Sequence, residues 1–131
     1  MSQKAIEIIL ARQFAGSLAL PVFIVDPEGS LVFYNEPAEA ILGLRFEETG
    51  EIAASEWSRV FVPTDEDGSP LTPETLPLVV AVNEQRPTLR RMWINGLDNV
   101  RRHIEVFAFP LTGIAKRHLG AVAVFWEVKN E

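Results

Sequence analysis

The segment Phe23-Ile24-Val25-Asp26-Pro27-Glu28-Gly29-Ser30-Leu31-Val32-Phe33-Tyr34-Asn35-Glu36-Pro37-Ala38-Glu39-Ala40-Ile41-Leu42-Gly43 carries three structural signals in succession. Two runs rich in β-branched and aromatic residues, 22–26 and 31–35, flank the turn formers Pro27, Glu28, Gly29 and Ser30, the pattern of a β-hairpin. Asn35 is a good helix N-cap and Pro37 is tolerated in a first helical turn. Gly43 suits a left-handed C-cap, so a short helix over Glu36–Leu42 leaves directly from the second strand.

Upstream of the hairpin, Ile6, Ile9, Leu10, Phe14 and Leu18 recur at three- and four-residue spacing with Lys4, Glu7, Arg12 and Ser17 between them. This predicts an amphipathic helix over 1–20, ended by Pro21. Downstream, a second short helical piece is expected within 47–60, and the acidic, turn-rich segment 63–70 reads as a loop. Thr75 or Thr72 can cap a helix running to about Glu84. Thr88–Asn95, 101–109 and 119–128 then read as strands. Helix, two strands, short helices and three strands make an α+β domain with a five-stranded antiparallel sheet over 21–128, followed by a tail at 129–131.

Composition narrows the function classes. The chain of 131 residues is long enough to bury a core without covalent staples. It has no cysteine, which excludes disulfides, thiolate metal sites and a cysteine nucleophile. Twelve Lys plus Arg against 18 Asp plus Glu leave a net charge of −6, a sign that repels nucleic acid and anionic lipid. No apolar run approaches the roughly 18 residues of a spanning helix, and the amino terminus lacks a continuous apolar leader. A cytoplasmic location with no membrane and no nucleic-acid partner is the expectation.

The opening segment resembles the start of a PAS domain, in which two strands with an Asp-x-x-Gly turn lead to Asn, a short helix and a Gly. Asp67-Gly68-Ser69-Pro70-Leu71 followed by Leu76-Pro77-Leu78-Val79-Val80-Ala81-Val82 is similar to the connector and long helix of a bacterial PAS subgroup. Val106-Phe107-Ala108-Phe109-Pro110-Leu111 and Gly120-Ala121-Val122-Ala123-Val124 resemble its last two strands. Many members end the last strand with Asp-Ile-Thr or similar, coupling to a downstream helix. Here Glu127-Val128-Lys129 stands in that place. The resemblance implies a sensory and interaction module, with an effector domain or signalling protein as partner and no catalysis of its own.

Similarity to PAS sheets assigns Phe23, Val25, Leu31, Phe33, Ile104, Val106, Ala108, Ala121, Ala123 and Phe125 to the inward face. These apolar residues are either simply the core or the wall of a cavity for a small apolar ligand, with Ala108, Ala121 and Ala123 leaving the room. The opposite face carries Val22, Ile24, Phe107, Phe109, Val122, Val124 and Trp126, too apolar for water. The amino-terminal helix is the expected cover, on its own sheet or exchanged with a second copy. Together with Ile6, Leu10, Phe14 and Leu18 these residues form the expected homodimer interface, a mode that the resemblance also implies.

Other chemistry is disfavoured. His103 and His118 do not lie on the long helix where heme-binding members place their axial ligand. Flavin-binding members use inward amide side chains where Ile104 and Phe125 stand, and the thiol-dependent light sensors need a cysteine. A calcium loop starting at Asp65 would need Gly at the position of Pro70 and Glu at that of Leu76. Ser55 and Ser58 near Glu56 have no histidine partner in sequence for a hydrolytic triad. Arg86, Arg90, Arg91, Arg101 and Arg102 fall on neighbouring strands, as a solvated basic edge or as a dock for an acidic partner or carboxylate. The competing class is a small α+β enzyme or lipid carrier using the same cavity. Catalysis would need titratable groups inside, and none of the ten inward residues titrates.

Overall fold

A five-stranded sheet in the order β2-β1-β5-β4-β3 forms the centre of the molecule, with every pairing antiparallel. Its strands are β1 (Val22–Val25), β2 (Leu31–Tyr34), β3 (Thr88–Asn95), β4 (Arg101–Thr112) and β5 (His118–Glu127). Helices α1 (Ile6–Gly16), α2 (Glu36–Leu42), α3 (Phe46–Thr49), α4 (Ala54–Val60) and α5 (Pro77–Glu84) complete the fold, with a 3-10 turn at Pro73–Thr75. The computed structural model describes residues 6–43, 45–96 and 98–128. The expected tail at 129–131 and the first five residues of the expected amino-terminal helix lie outside the described residues.

The β1–β2 turn closes because Asp26 accepts backbone hydrogen bonds from Glu28 and Ser30, both at 3.0 Å, while Gly29 takes the left-handed conformation. The Trp57 indole N–H donates to the Gly29 carbonyl at 2.8 Å and so fastens α4 to this hairpin. At Gly120 the strands approach so closely that a Cβ would sit 1.9 Å from the Val25 carbonyl oxygen. Only glycine fits there, at φ +120°.

Asn35 organises the junction between helices and sheet. Its side-chain oxygen accepts from the Ala38 N–H, capping α2, and from the Val22 N–H of β1. Its amide nitrogen donates to the Ala15 and Leu20 carbonyls, each at 2.9 Å. The helix α1 stops at Gly16 instead of continuing to Pro21, and the Ala15 carbonyl at its end accepts from both the Leu18 N–H and Asn35. The expected threonine cap on α5 is also absent: Leu76 holds the N-cap position without a side-chain bond, and Pro77 starts the helix.

Two apolar layers result. Helices α2, α4 and α5 bury the inner face against Phe23, Val25, Ile104, Val106, Ala108 and Phe125. Helix α1 lies on the outer face of its own sheet, burying Ile8 and Ala15 against Val22, Ile24, Val32 and Val122.

Candidate ligand cavity and the helix-covered face

The inner layer encloses a cavity of about 60 Å³. Of the ten residues expected inward, Phe23, Ile104, Val106, Ala123 and Phe125 line it. Val25, Leu31, Ala108 and Ala121 lie in the same core without reaching the cavity. The remaining wall comes from residues that strand alternation alone did not bring in: Leu42, Trp57, Phe61, Pro63, Leu76, Pro77, Leu78, Met92 and Ile94. Met92 and Ile94 alternate on β3, and Trp57 and Phe61 are four residues apart, so a spacing signal existed for both pairs. Aromatic rings pack the base, with Phe23 at 5.3 Å from Phe125, 5.6 Å from Tyr34 and 6.1 Å from Phe61.

Phe33 is a correction. Val25 pairs with Leu31 but Ile24 pairs with Phe33, so Val32 is an extra residue in the ladder and the alternation slips by one. Val32 and Phe33 therefore join the outer layer, and Tyr34 turns inward. Phe33 packs against Phe46, ring centroids 5.5 Å apart, and lies under the Arg12 guanidinium at 5.1 Å. The inner face thus does hold a titratable group. Burial pushes the Tyr34 phenol above its ordinary value, against the lowering effect of its 3.0 Å hydrogen bond with Thr49. The phenol stays neutral at physiological pH.

The outer face is covered unevenly. Val22, Ile24 and Val122 are buried, Leu18, Phe109 and Val124 are half-buried around them, and Phe107 is 38% exposed. The Trp126 indole N–H donates to Glu105 at 3.2 Å. Of the expected helix stripe only Leu18 packs into this layer. Ile6, Leu10 and Phe14 are 67%, 56% and 67% exposed, while the docked face uses Ile8, Ala11 and Ala15. Ile8 and two alanines make the contact, Ile6 and Leu10 are left on the far side, and Phe14 borders the gap between helix and sheet. That gap is a second cavity, of about 180 Å³, between α1 and β1, β4 and β5.

The arginines do not form an open basic patch. Arg86 pairs with Glu84 at 2.8 Å, Arg90 with Asp65 at 3.1 Å and Arg91 with Glu105 at 3.5 Å. Arg101 bonds Thr64, Asn95 and the Val62 carbonyl. Arg102 bonds Asp98 and the Ile41 carbonyl, and its hydrogen bond holds the Asp98 carboxyl below the usual carboxylate range. His103 is neither exposed nor hydrogen-bonded: it stacks on Trp93 at 4.5 Å on the outer face, with Nε2 3.8 Å from Glu66. His118 is exposed at the start of β5. Among the described residues no three His, Asp or Glu side chains gather as metal ligands, and no helix is long and apolar enough to cross a membrane.

No protein-family model matches the chain, and no curated protein does. Solved structures do. The chain is similar to the PAS domain of BvgS from Bordetella pertussis, with TM-score 0.61 and 10% identity over 95% of this chain and 87% of that one. A LOV protein of Rhodobacter sphaeroides matches with TM-score 0.73 and 14% identity, covering 95% and 69%. The PAS domain of nitrogen regulation protein NR(II) from Vibrio parahaemolyticus matches with TM-score 0.64 and 14% identity, covering 91% and 98%. The chain has the PAS fold, a five-stranded antiparallel sheet with helices packed on it.

Proposed function

We propose that the chain is a cytoplasmic sensory and interaction module that acts as a homodimer and relays its state to an effector domain or signalling protein. The observation that carries this reading is the exposed apolar ridge of α1. Ile6, Leu10 and Phe14 stand in solvent although the helix is already docked on its own sheet through its other side. A helix apolar on both sides needs a second partner. A symmetric pair offers one, because each ridge meets its own copy. Phe14 also borders Phe109 and Val124, and the Phe109 ring lies 5.6 Å from that of Phe107, so the apolar surface continues from the helix onto β4.

A small apolar ligand in the core cavity is the proposed input, acting by preferring one arrangement of helices and sheet. The cavity wall supports binding rather than chemistry, since none of its side chains is an acid, base or nucleophile.

Sedimentation of the full chain beside the double variant Leu10→Lys, Phe14→Lys tests the dimer. The parent is expected to sediment as a dimer with a melting temperature that rises with protein concentration, and the variant as a folded monomer whose melting temperature does not depend on concentration. A monomeric parent at high concentration would overturn the reading.

A further inference from the structure

We infer that a compact, uncharged, apolar molecule binds between α1 and the outer face of the sheet, in the cavity of about 180 Å³ that is distinct from the smaller one in the core. Its roof is Ala11 and Ala15, its floor Val22, Ile24 and Val122, and Phe14 stands at its rim. The void follows from how the helix is held. Near its start, Ile8 is buried in the outer layer and Glu7 lies 3.9 Å from Arg117. Near its end, Asn35 holds the Ala15 carbonyl. Ile8 reaches the sheet at the start of the docked side, but beyond it the side chains over the cavity are Ala11 and Ala15, too short to reach across.

The chemistry of the lining selects the occupant. Every side chain around the cavity is Ala, Val, Leu, Ile or Phe, so water entering it would find no side-chain hydrogen-bond partner. A charged or strongly polar ligand would be desolvated without compensation. In another protein an apolar cavity of about 150 Å³ stays dry and binds benzene or xenon. The present volume therefore matches a single aromatic ring or a short branched alkyl group, and excludes a fused-ring cofactor or a long acyl chain.

Toluene titrated into the full chain is the test, read by the NMR shifts of methyl groups on α1, β1 and β5 and by thermal denaturation. Saturable shifts at Val22, Ile24 and Val122 with a raised melting temperature are expected. Ala11→Leu fills the cavity from its roof and Ala15→Leu does so more deeply. Each is expected to weaken toluene binding at least about tenfold. Should Ala15→Leu fail to fold, Ala11→Leu carries the comparison. Ala123→Val narrows only the core cavity and is expected to leave toluene binding unchanged. The absence of saturable shifts would overturn the inference. So would binding that survives the roof variants, or binding lost in Ala123→Val and kept in Ala11→Leu. Sedimentation of the same samples reports the dimer separately, so one reading can fail while the other stands.

Discussion

The two faces of the sheet are almost equally apolar, yet they are packed in different ways. The inner face is closed by three helices and a set of aromatic rings, and keeps a void of about 60 Å³. The outer face is closed by one helix through Ile8, Ala11 and Ala15, and keeps about 180 Å³. Apolar composition thus says that a face will be covered, and packing says how firmly. A face built from several connectors is committed to its fold, whereas one roofed by a helix pinned near its two ends can exchange or admit partners.

Truncating one large side chain on each face gives the largest expected effect. Phe125→Ala should destabilise the domain by about 3–5 kcal/mol, because its ring is wedged among Phe23 and the cavity wall. Ile8→Ala, equally buried, should cost only about 2 kcal/mol because α1 can lift without disturbing the inner core. Chemical denaturation measures both. An outer cost equal to the inner one would erase the contrast between the faces.

Next in size is the residue that joins the two layers. Asn35→Ala removes four hydrogen bonds, to Val22, Ala38, Ala15 and Leu20, and should cost roughly 3 kcal/mol. Asn35→Asp sharpens the comparison, since it keeps the oxygen that caps α2 and loses the amide that holds Ala15 and Leu20. In that variant hydrogen exchange should show α1 losing protection while β4 and β5 keep theirs. Equal loss in α1 and in the sheet would mean that the helix is not an independently releasable element.

The hairpin and its following helix were legible because their signals are local: the Asp26 turn, the Asn35 cap and Gly43 each act within a few residues. The bulge at Val32 was not, since Leu31, Val32, Phe33 and Tyr34 are all good strand formers on either face and only the partner strand sets the register. The docked side of α1 was only partly legible, with Leu18 the one member of the expected stripe that packs on the sheet. Ranking by hydrophobicity favours Ile6, Leu10 and Phe14, but the long-range bond from Asn35 to the Ala15 carbonyl and the burial of Ile8 turn the other side to the sheet. The cavity wall was half legible: the strands contributed residues that alternate, whereas Leu42, Leu76 and Leu78 are brought in by connecting segments whose placement is a tertiary property.

The smallest expected effect exploits the side chain that the bulge moved. Tyr34 is the one tyrosine of the chain, so tyrosinate absorbance reports it alone. Its phenol is buried on the inner face, which raises its pKa in the folded state, and Glu39 and Glu48 push in the same direction. The unfolded phenol ionises at about 10. Between that value and the raised native one the unfolded chain binds fewer protons than the folded chain. The contribution of this group to stability is therefore complete below about pH 10 and lost as the pH rises beyond it. Absorbance titration should show native Tyr34 ionising above the pH at which the denatured chain does, and Tyr34→Phe should remove the alkaline slope attributable to this group. That variant should cost only about 1 kcal/mol, because Thr49 retains the Phe46 and Gly50 carbonyls as hydrogen-bond partners. A native phenol that titrates together with the denatured one would place Tyr34 in solvent, returning Phe33 to the inner face and removing the slipped register on which the assignment of the two faces depends.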